Sequence, residues 1–296
     1  MLEWFKCLDG EITPVKECLT KCRMGERCET LPYLHLASAE REWTGEASTT
    51  QLLNGTMYTF LKITQPYVID PDDMAYAIHG TRSHTQLEAK AKELGLTAEL
   101  SVTQDGRNII DLIEYEDGIV TLTDTKTWGS FRVAKCLGIV EAGKKPDPSG
   151  EIYKRSGAWG KAGTVKMVTM FQQMEQAADN YEAELQLNNY RVKFEEATSI
   201  HIDKMRVHCI VRDGGLAVAR SRGVIRNTYL VPVKRMDDVE VVDYFTKKAI
   251  DLGRALMNNG WIEPCDNREC WDGVRCRDYC EVATFCPKGL IEKGGK

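Results

Sequence analysis

The sequence predicts an α/β fold, with helices flanking a central mixed sheet and two cysteine-rich, metal-bound termini that meet. Three observations predict it. Helix-like and strand-like patterns interleave along the chain, the signature of a layered sheet with helices on it. A β-hairpin is written into "IIDLIEYEDGIVTLTDTKTW", residues 109–128, where runs of Ile, Val, Leu and Thr flank the turn pair Asp117-Gly118. Nine of the 11 cysteines crowd the two ends, and only Cys136 and Cys209 fall between them.

The elements follow in order. Residues 1–30 are polar and cysteine-rich, too short to build a core without a metal staple. Residues 31–70 read as helical and irregular, broken by Pro66 and Pro71. "GTRSHTQLEAKAKELGL" (80–96) reads as a helix with Ser83 as N-cap and Gly95 as its stop, and "AELSVT" (98–103) as a short strand before the hairpin. Residues 129–140 read as a short helix and 141–166 as an exposed basic loop rich in Gly, Pro, Ser and Lys. Residues 168–197 carry the longest helical pattern. "SIHIDKMRVHCIVRDG" and "NTYLVPVKRM" read as strands, and 237–259 as an amphipathic helix. The expected domains are a cysteine-rich N-terminal segment (1–30), a core (31–260) and a C-terminal cysteine cluster (261–296) packing with the first.

At 296 residues the chain can bury one large core or two modest ones, and 43% hydrophobic with 28% charged residues is ordinary for a globular protein. A formal charge of −5 excludes a uniformly basic nucleic-acid coat but leaves room for a local basic groove. No apolar run is long enough to span a membrane, and "MLEWFKCLDGE" lacks a signal-peptide layout, so the expected location is cytoplasmic.

The hairpin carries the first chemistry. Counting from Asp117-Gly118 as a two-residue loop, Asp111 lies opposite Asp124, and Lys126 shares the face of Asp124. Two opposed carboxylates repel, and burying them unneutralised costs several kcal/mol. A divalent cation between them removes that cost, Mg²⁺ or Mn²⁺ suiting a few carboxylates, waters and phosphate oxygens, and the adjacent ammonium would orient an attacking water. The bland reading is a solvated hairpin whose charges face water.

The cysteines carry the second. In a cytosolic chain, clustered thiols bind metal more often than they form disulfides. Cys18-x₃-Cys22 and Cys265-x₄-Cys270 have zinc-like spacing, so Cys7, Cys18, Cys22, Cys265 and Cys270 are candidates for a zinc site. Thiolate-only sites suit iron–sulfur or Zn²⁺ equally on spacing alone. In the basic segment, Lys144, Lys145, Lys154 and Lys161 stand near Tyr153 and Trp159, a pairing suited to single-stranded DNA ends, the alternative being a solvated loop.

Taken together, a cysteine, His84, Asp111, "DTK" (124–126), "QLNNY" (186–190) and a terminal cysteine cluster, in that order, resemble the RecB-like branch of the PD-(D/E)XK nucleases. In layout they are similar to its iron–sulfur members, the CRISPR-associated adaptation nuclease and the nuclease domain of AddB. The resemblance spans residues 15 to 290. It implies a restriction-endonuclease-like core and Mg²⁺- or Mn²⁺-dependent DNA hydrolysis, with His84, Asp111 and Asp124 as metal ligands. Lys126 would position the water, and Gln186 and Tyr190 would orient the catalytic strand and the nucleic acid. It also implies a [4Fe–4S] cluster held by Cys28, Cys276, Cys280 and Cys286, although "CRDYCEVATFC" is C-x₃-C-x₅-C where the family has C-x₂-C-x₅-C. The chain shows no G-x-x-x-x-G-K-[ST] motif, so a helicase would come from a partner, as would a CRISPR adaptation complex. The rival reading is a non-catalytic cysteine-ribbon subunit that binds nucleic acid within a repair complex.

Overall fold

The computed structural model describes residues 1–103, 106–158 and 160–294. Its elements in chain order are β1 (Leu2–Lys6), β2 (Ile12–Pro14), α1 (Val15–Thr20), α2 (Leu31–Ala37), α3 (Thr49–Leu53), α4 (Thr56–Thr64), β3 (Tyr67–Ile69) and α5 (Ala75–Glu93). There follow β4 (Thr97–Ser101), β5 (Ile109–Glu116), β6 (Ile119–Trp128), α6 (Ser130–Leu137), β7 (Ile139–Pro146), β8 (Met167–Gln173) and α7 (Tyr181–Thr198). The chain closes with β9 (Lys204–Val211), α8 (Ala217–Arg220), β10 (Thr228–Val233), α9 (Asp238–Met257), α10 (Val274–Asp278) and α11 (Pro287–Gly294). This is an α/β architecture. Two compact units share it: residues 1–112, 185–201 and 235–296 form the first, and 113–184 with 202–234 the second.

In the first unit, β1 pairs antiparallel with β2 and parallel with β3. The core gathers Phe5, Leu34, Phe60, Leu61 and Tyr67 with Leu252 and Ala255 of α9, and it takes in Cys18, Val282 and Cys286 from both chain ends. The C-terminal tail is tied to α4 by Tyr58, whose hydroxyl donates to Glu281 at 3.3 Å, and by Lys62, 3.3 Å from the same carboxylate. Burial and the neighbouring Glu281 carboxylate push the Tyr58 phenol well above its ordinary value.

The second unit is built on a mixed sheet. β10, β9, β6 and the second half of β5 lie side by side, with β9 antiparallel to β10 and parallel to β6. β9 alternates as its sequence demands: Met205, Val207, Cys209 and Val211 are buried while Arg206 and His208 point the other way. Pro232 is tolerated in β10 because that strand is an edge. The hairpin turn has the expected chemistry, with Asp117 at φ 50° and Gly118 at φ 77°, both positive as a type I′ turn requires. On the first unit's side, β4 is the other neighbour of β5 in strand order.

Three sequence expectations are corrected. Ser83 is not a cap: α5 starts at Ala75, behind a 3₁₀ turn in which the Asp70 side chain accepts from Asp72 N, and it runs through Gly80. The Ser83 hydroxyl donates to His79 O at 3.0 Å inside the helix, whereas Gly95, at φ 72°, does close it. Residues 167–173 form β8 rather than the start of a helix; "VTMFQQ" satisfies either period, and pairing with β7 decides it. For the same reason the basic loop begins as strand β7, with Glu141 and Lys144 flanking a bulge at Gly143, φ 106°. Among the described residues, no helix is long and apolar enough to cross a membrane.

Candidate metal and catalytic site

In the first unit, the helix α5 and the strands β4 and β5 bring together His84, Glu99 and Asp111. His84 Nδ1 lies 3.2 Å from Asp111 Oδ2, and the three residues' ligand atoms all fall within 4.8 Å of one another. All three are half-buried, open enough to admit a ligand. Burial first, then the Asp111 and Glu88 carboxylates, hold the Glu99 carboxyl above its ordinary value, against the opposing pull of His84 and Lys92. Glu99 is also a backbone outlier, a non-glycine residue at φ 51° within a strand. Such strain costs on the order of 1–3 kcal/mol and gathers at functional sites. Sequence reasoning missed Glu99. Its signal is an acid between Ala98 and Leu100, in a strand that abuts the acid-bearing hairpin.

Buried hydrogen bonds position β5. Asn189 of α7 donates to Thr49 Oγ1 at 2.6 Å, and Thr49 donates to Asn108 Oδ1 from its amide (2.9 Å) and its hydroxyl (2.5 Å). Asn108 immediately precedes β5, and the three residues are 5%, 1% and 6% exposed, so β5 starts from a dry, satisfied anchor. On the same helix Gln186 Nε2 donates to Tyr190 Oη at 3.3 Å, and both are buried rather than set on a solvated face.

Asp124 and Lys126 belong to the second unit, on β6. That strand lies between β9 and β5, which leaves Asp124 only 3% exposed. The ammonium of Lys126 answers the buried charge, 2.8 Å from Oδ2 and 3.0 Å from Oδ1. Thr123 points to the opposite face, where its hydroxyl donates to Glu114 at 3.3 Å and Arg206 binds the same carboxylate at 2.6 Å. That alternation is the one counted from the two-residue turn.

Lys144 and Lys145 stand exposed on β7, and Lys154 and Lys161 are exposed in the segment joining it to β8. Tyr153 is half-buried, its ring packed over Gly160, where a Cβ would sit 2.4 Å from it. Trp159 lies outside the described residues.

All the cysteines apart from Cys136 and Cys209 lie in the first unit, and at each chain end they neighbour one another. Cys7, Cys18, Cys22 and Cys28 line one cavity of about 330 Å³. At the other end, burial and then the neighbouring Cys270, Cys280 and Cys286 push the Cys276 thiol up to about 11, and burial does the same for Cys265, which also feels Cys286. Lys288 donates to Cys265 O at 3.0 Å and places positive charge beside Cys270, Cys276 and Cys265. Among the described residues, neither set closes to the 4.8 Å spread of the acid–histidine group, so a bound metal would draw the thiols inward.

No family model and no curated protein matches the chain. A solved structure, the crystal structure of SSO0001, is similar over 93% of this chain and 95% of its own, at 15% identity and a TM-score of 0.40.

Proposed function

We propose that this protein is a divalent-metal-dependent deoxyribonuclease of the RecB-like PD-(D/E)XK kind, acting on single-stranded DNA ends in recombination, repair or CRISPR adaptation. The observation that carries this reading is the His84–Glu99–Asp111 group, with its ligand atoms within 4.8 Å and Glu99 held at a strained φ. Two carboxylates and one imidazole suit Mn²⁺ or Mg²⁺, the imidazole favouring Mn²⁺. When bound, the metal supplies Lewis acidity and a water of lowered pKa.

The residues do the rest. His84, Glu99 and Asp111 bind, and the Asn189–Thr49–Asn108 anchor keeps β5 in place while they do. The resemblance assigns Asp124 and Lys126 to the same chemistry. Lys126, already within hydrogen-bonding reach of a carboxylate, would steady charge developing on the scissile phosphate. The exposed lysines of the β7–β8 ribbon would neutralise backbone phosphates.

At the C-terminus, Cys276, Cys280 and Cys286 neighbour one another and are three of the thiolates that the resemblance assigns to an iron–sulfur cluster, with Zn²⁺ as the alternative occupant.

The deciding experiment incubates the full chain with end-labelled single- and double-stranded DNA in Mg²⁺, Mn²⁺ or EDTA. The expected result is metal-dependent degradation from single-stranded ends, lost in EDTA and in Asp111→Asn. Tight DNA binding without any cleavage in either metal would favour the non-catalytic subunit instead.

A further inference from the structure

The two ends of the chain carry the same cysteine spacing. Cys7, Cys18, Cys22 and Cys28 read C-x₁₀-C-x₃-C-x₅-C, and Cys265, Cys276, Cys280 and Cys286 read C-x₁₀-C-x₃-C-x₅-C. All three intervals agree, and only Cys270 has no counterpart.

The local structure repeats with the spacing. The second cysteine of each set sits in a short helix, Cys18 in α1 and Cys276 in α10. The third and fourth lie in the irregular chain beyond, and a further helix opens within a few residues of the fourth, α2 at Leu31 and α11 at Pro287. Burial follows the same order: the first cysteine of each set is half-buried, the second buried and the third half-buried. Only the fourth differs, Cys28 being exposed and Cys286 buried. Each set has a cation at hand, Arg27 beside Cys18 and Lys288 beside Cys265 and Cys276, which suits thiolates that have lost their protons to a metal.

The geometry points to two equivalent four-thiolate metal centres, one at each end of the chain. Cys7, Cys18, Cys22 and Cys28 close one, and Cys265, Cys276, Cys280 and Cys286 close the other, with the same occupant in both. The N-terminal four already face one cavity. Thiolate-only ligation restricts the occupant to a thiophilic centre, Zn²⁺ or an iron–sulfur cluster. Cys270, 1% exposed, is the spare thiol buried beside the second centre. None of this depends on the nuclease reading, because the test counts metal rather than cleavage.

The test uses full-length protein purified without oxygen, with zinc, iron and acid-labile sulfide measured per chain. The expected content is two identical complements, either two zinc ions or two iron–sulfur clusters. Cys18→Ser with Cys22→Ser should halve that content and leave the remaining half unchanged in kind. Cys276→Ser with Cys280→Ser should do the same, circular dichroism reporting whether each variant stays folded. Native mass spectrometry of the unmutated chain gives the same answer without substitution, as two equal mass additions. Loss of all metal in either variant would mean one shared centre and overturn the proposal. So would an N-terminal variant with full metal content, two occupants of different kinds, or a metal-free chain.

Discussion

The two acidic regions of this protein solve the same electrostatic problem in opposite ways. On β6, Asp124 is almost fully buried and its charge is met by an ammonium from its own strand, 2.8 Å away. On α5, β4 and β5, two carboxylates share one imidazole in a half-buried group, and one of them, Glu99, is raised by burial and by its acidic neighbour. A self-neutralised pair resists further cations, while a group richer in negative than positive charge attracts one. On the proposed function, the difference amounts to a division of labour: the first unit's group is the one suited to take a metal, and the second unit's pair already holds its own ammonium in place.

The sharpest way to break that division is to remove a ligand. Asp111→Asn and Glu99→Gln should each lower metal-dependent DNA cleavage by about 100-fold or more, exceeding the 10–100-fold typical of changes behind the ligands. Each should also abolish Mn²⁺ binding followed by electron paramagnetic resonance, while the unfolding midpoint changes little. Mn²⁺ bound as tightly by Glu99→Gln as by the native chain would remove Glu99 from the site.

Lys126→Ala tests the other half. It should leave Mn²⁺ binding intact while cleavage falls, and it should destabilise the fold because the buried Asp124 charge loses its partner. Breaking a fully buried pair costs about 3–5 kcal/mol; with the Lys126 side chain 28% exposed, about 2–3 kcal/mol is expected in urea unfolding. Pairing Lys126→Met with Asp124→Asn should restore most of that stability without restoring cleavage. A Lys126→Ala chain of native stability would mean that water already screens Asp124.

A subtler change reaches the metal group from behind. Thr49→Val removes the hydroxyl that donates to Asn108 and accepts from Asn189, while the backbone amide keeps its bond to Asn108, and so leaves the buried Asn189 donor unmet at about 1–3 kcal/mol. Because Asn108 opens the strand that carries Asp111, Mn²⁺ affinity should weaken about tenfold, which isothermal titration would read. Stability lost with Mn²⁺ affinity unchanged would show that the anchor serves the fold alone.

What the sequence makes legible here follows from how local each feature is. The hairpin, its turn, β9, β10 and α9 depend on near-neighbour patterns and can be read directly. The β7–β8 ribbon cannot, because residues 141–146 are polar and exposed and become strand only by pairing with a segment that equally suits a helix. His84 and Asp111 are readable as acid and histidine in a recognisable order. Glu99 is not, since it enters the group through a positive φ that no residue preference announces. The cysteine intervals are open to simple counting, yet joining Cys28 to the C-terminal three hides the second matching set.

The smallest effect belongs to the ribbon, and it tests whether DNA touches the second unit at all. Among the described residues, Lys144, Lys145, Lys154 and Lys161 make no ion pair and lie exposed, so replacing one leaves no acid stranded and little packing lost. Each lysine that meets a phosphate of single-stranded DNA releases about 0.7 of a counter-ion. Neutralising one should therefore lower the slope of log affinity against log salt by about 0.7 and weaken binding a few-fold, with cleavage at saturating DNA unchanged. All four together should flatten the slope by about 3. Mn²⁺ binding at the acid–histidine group should not move in any of them, because no ligand has changed. A salt slope identical to that of the native chain after all four substitutions would place the phosphate contacts elsewhere and leave the ribbon a solvated hairpin.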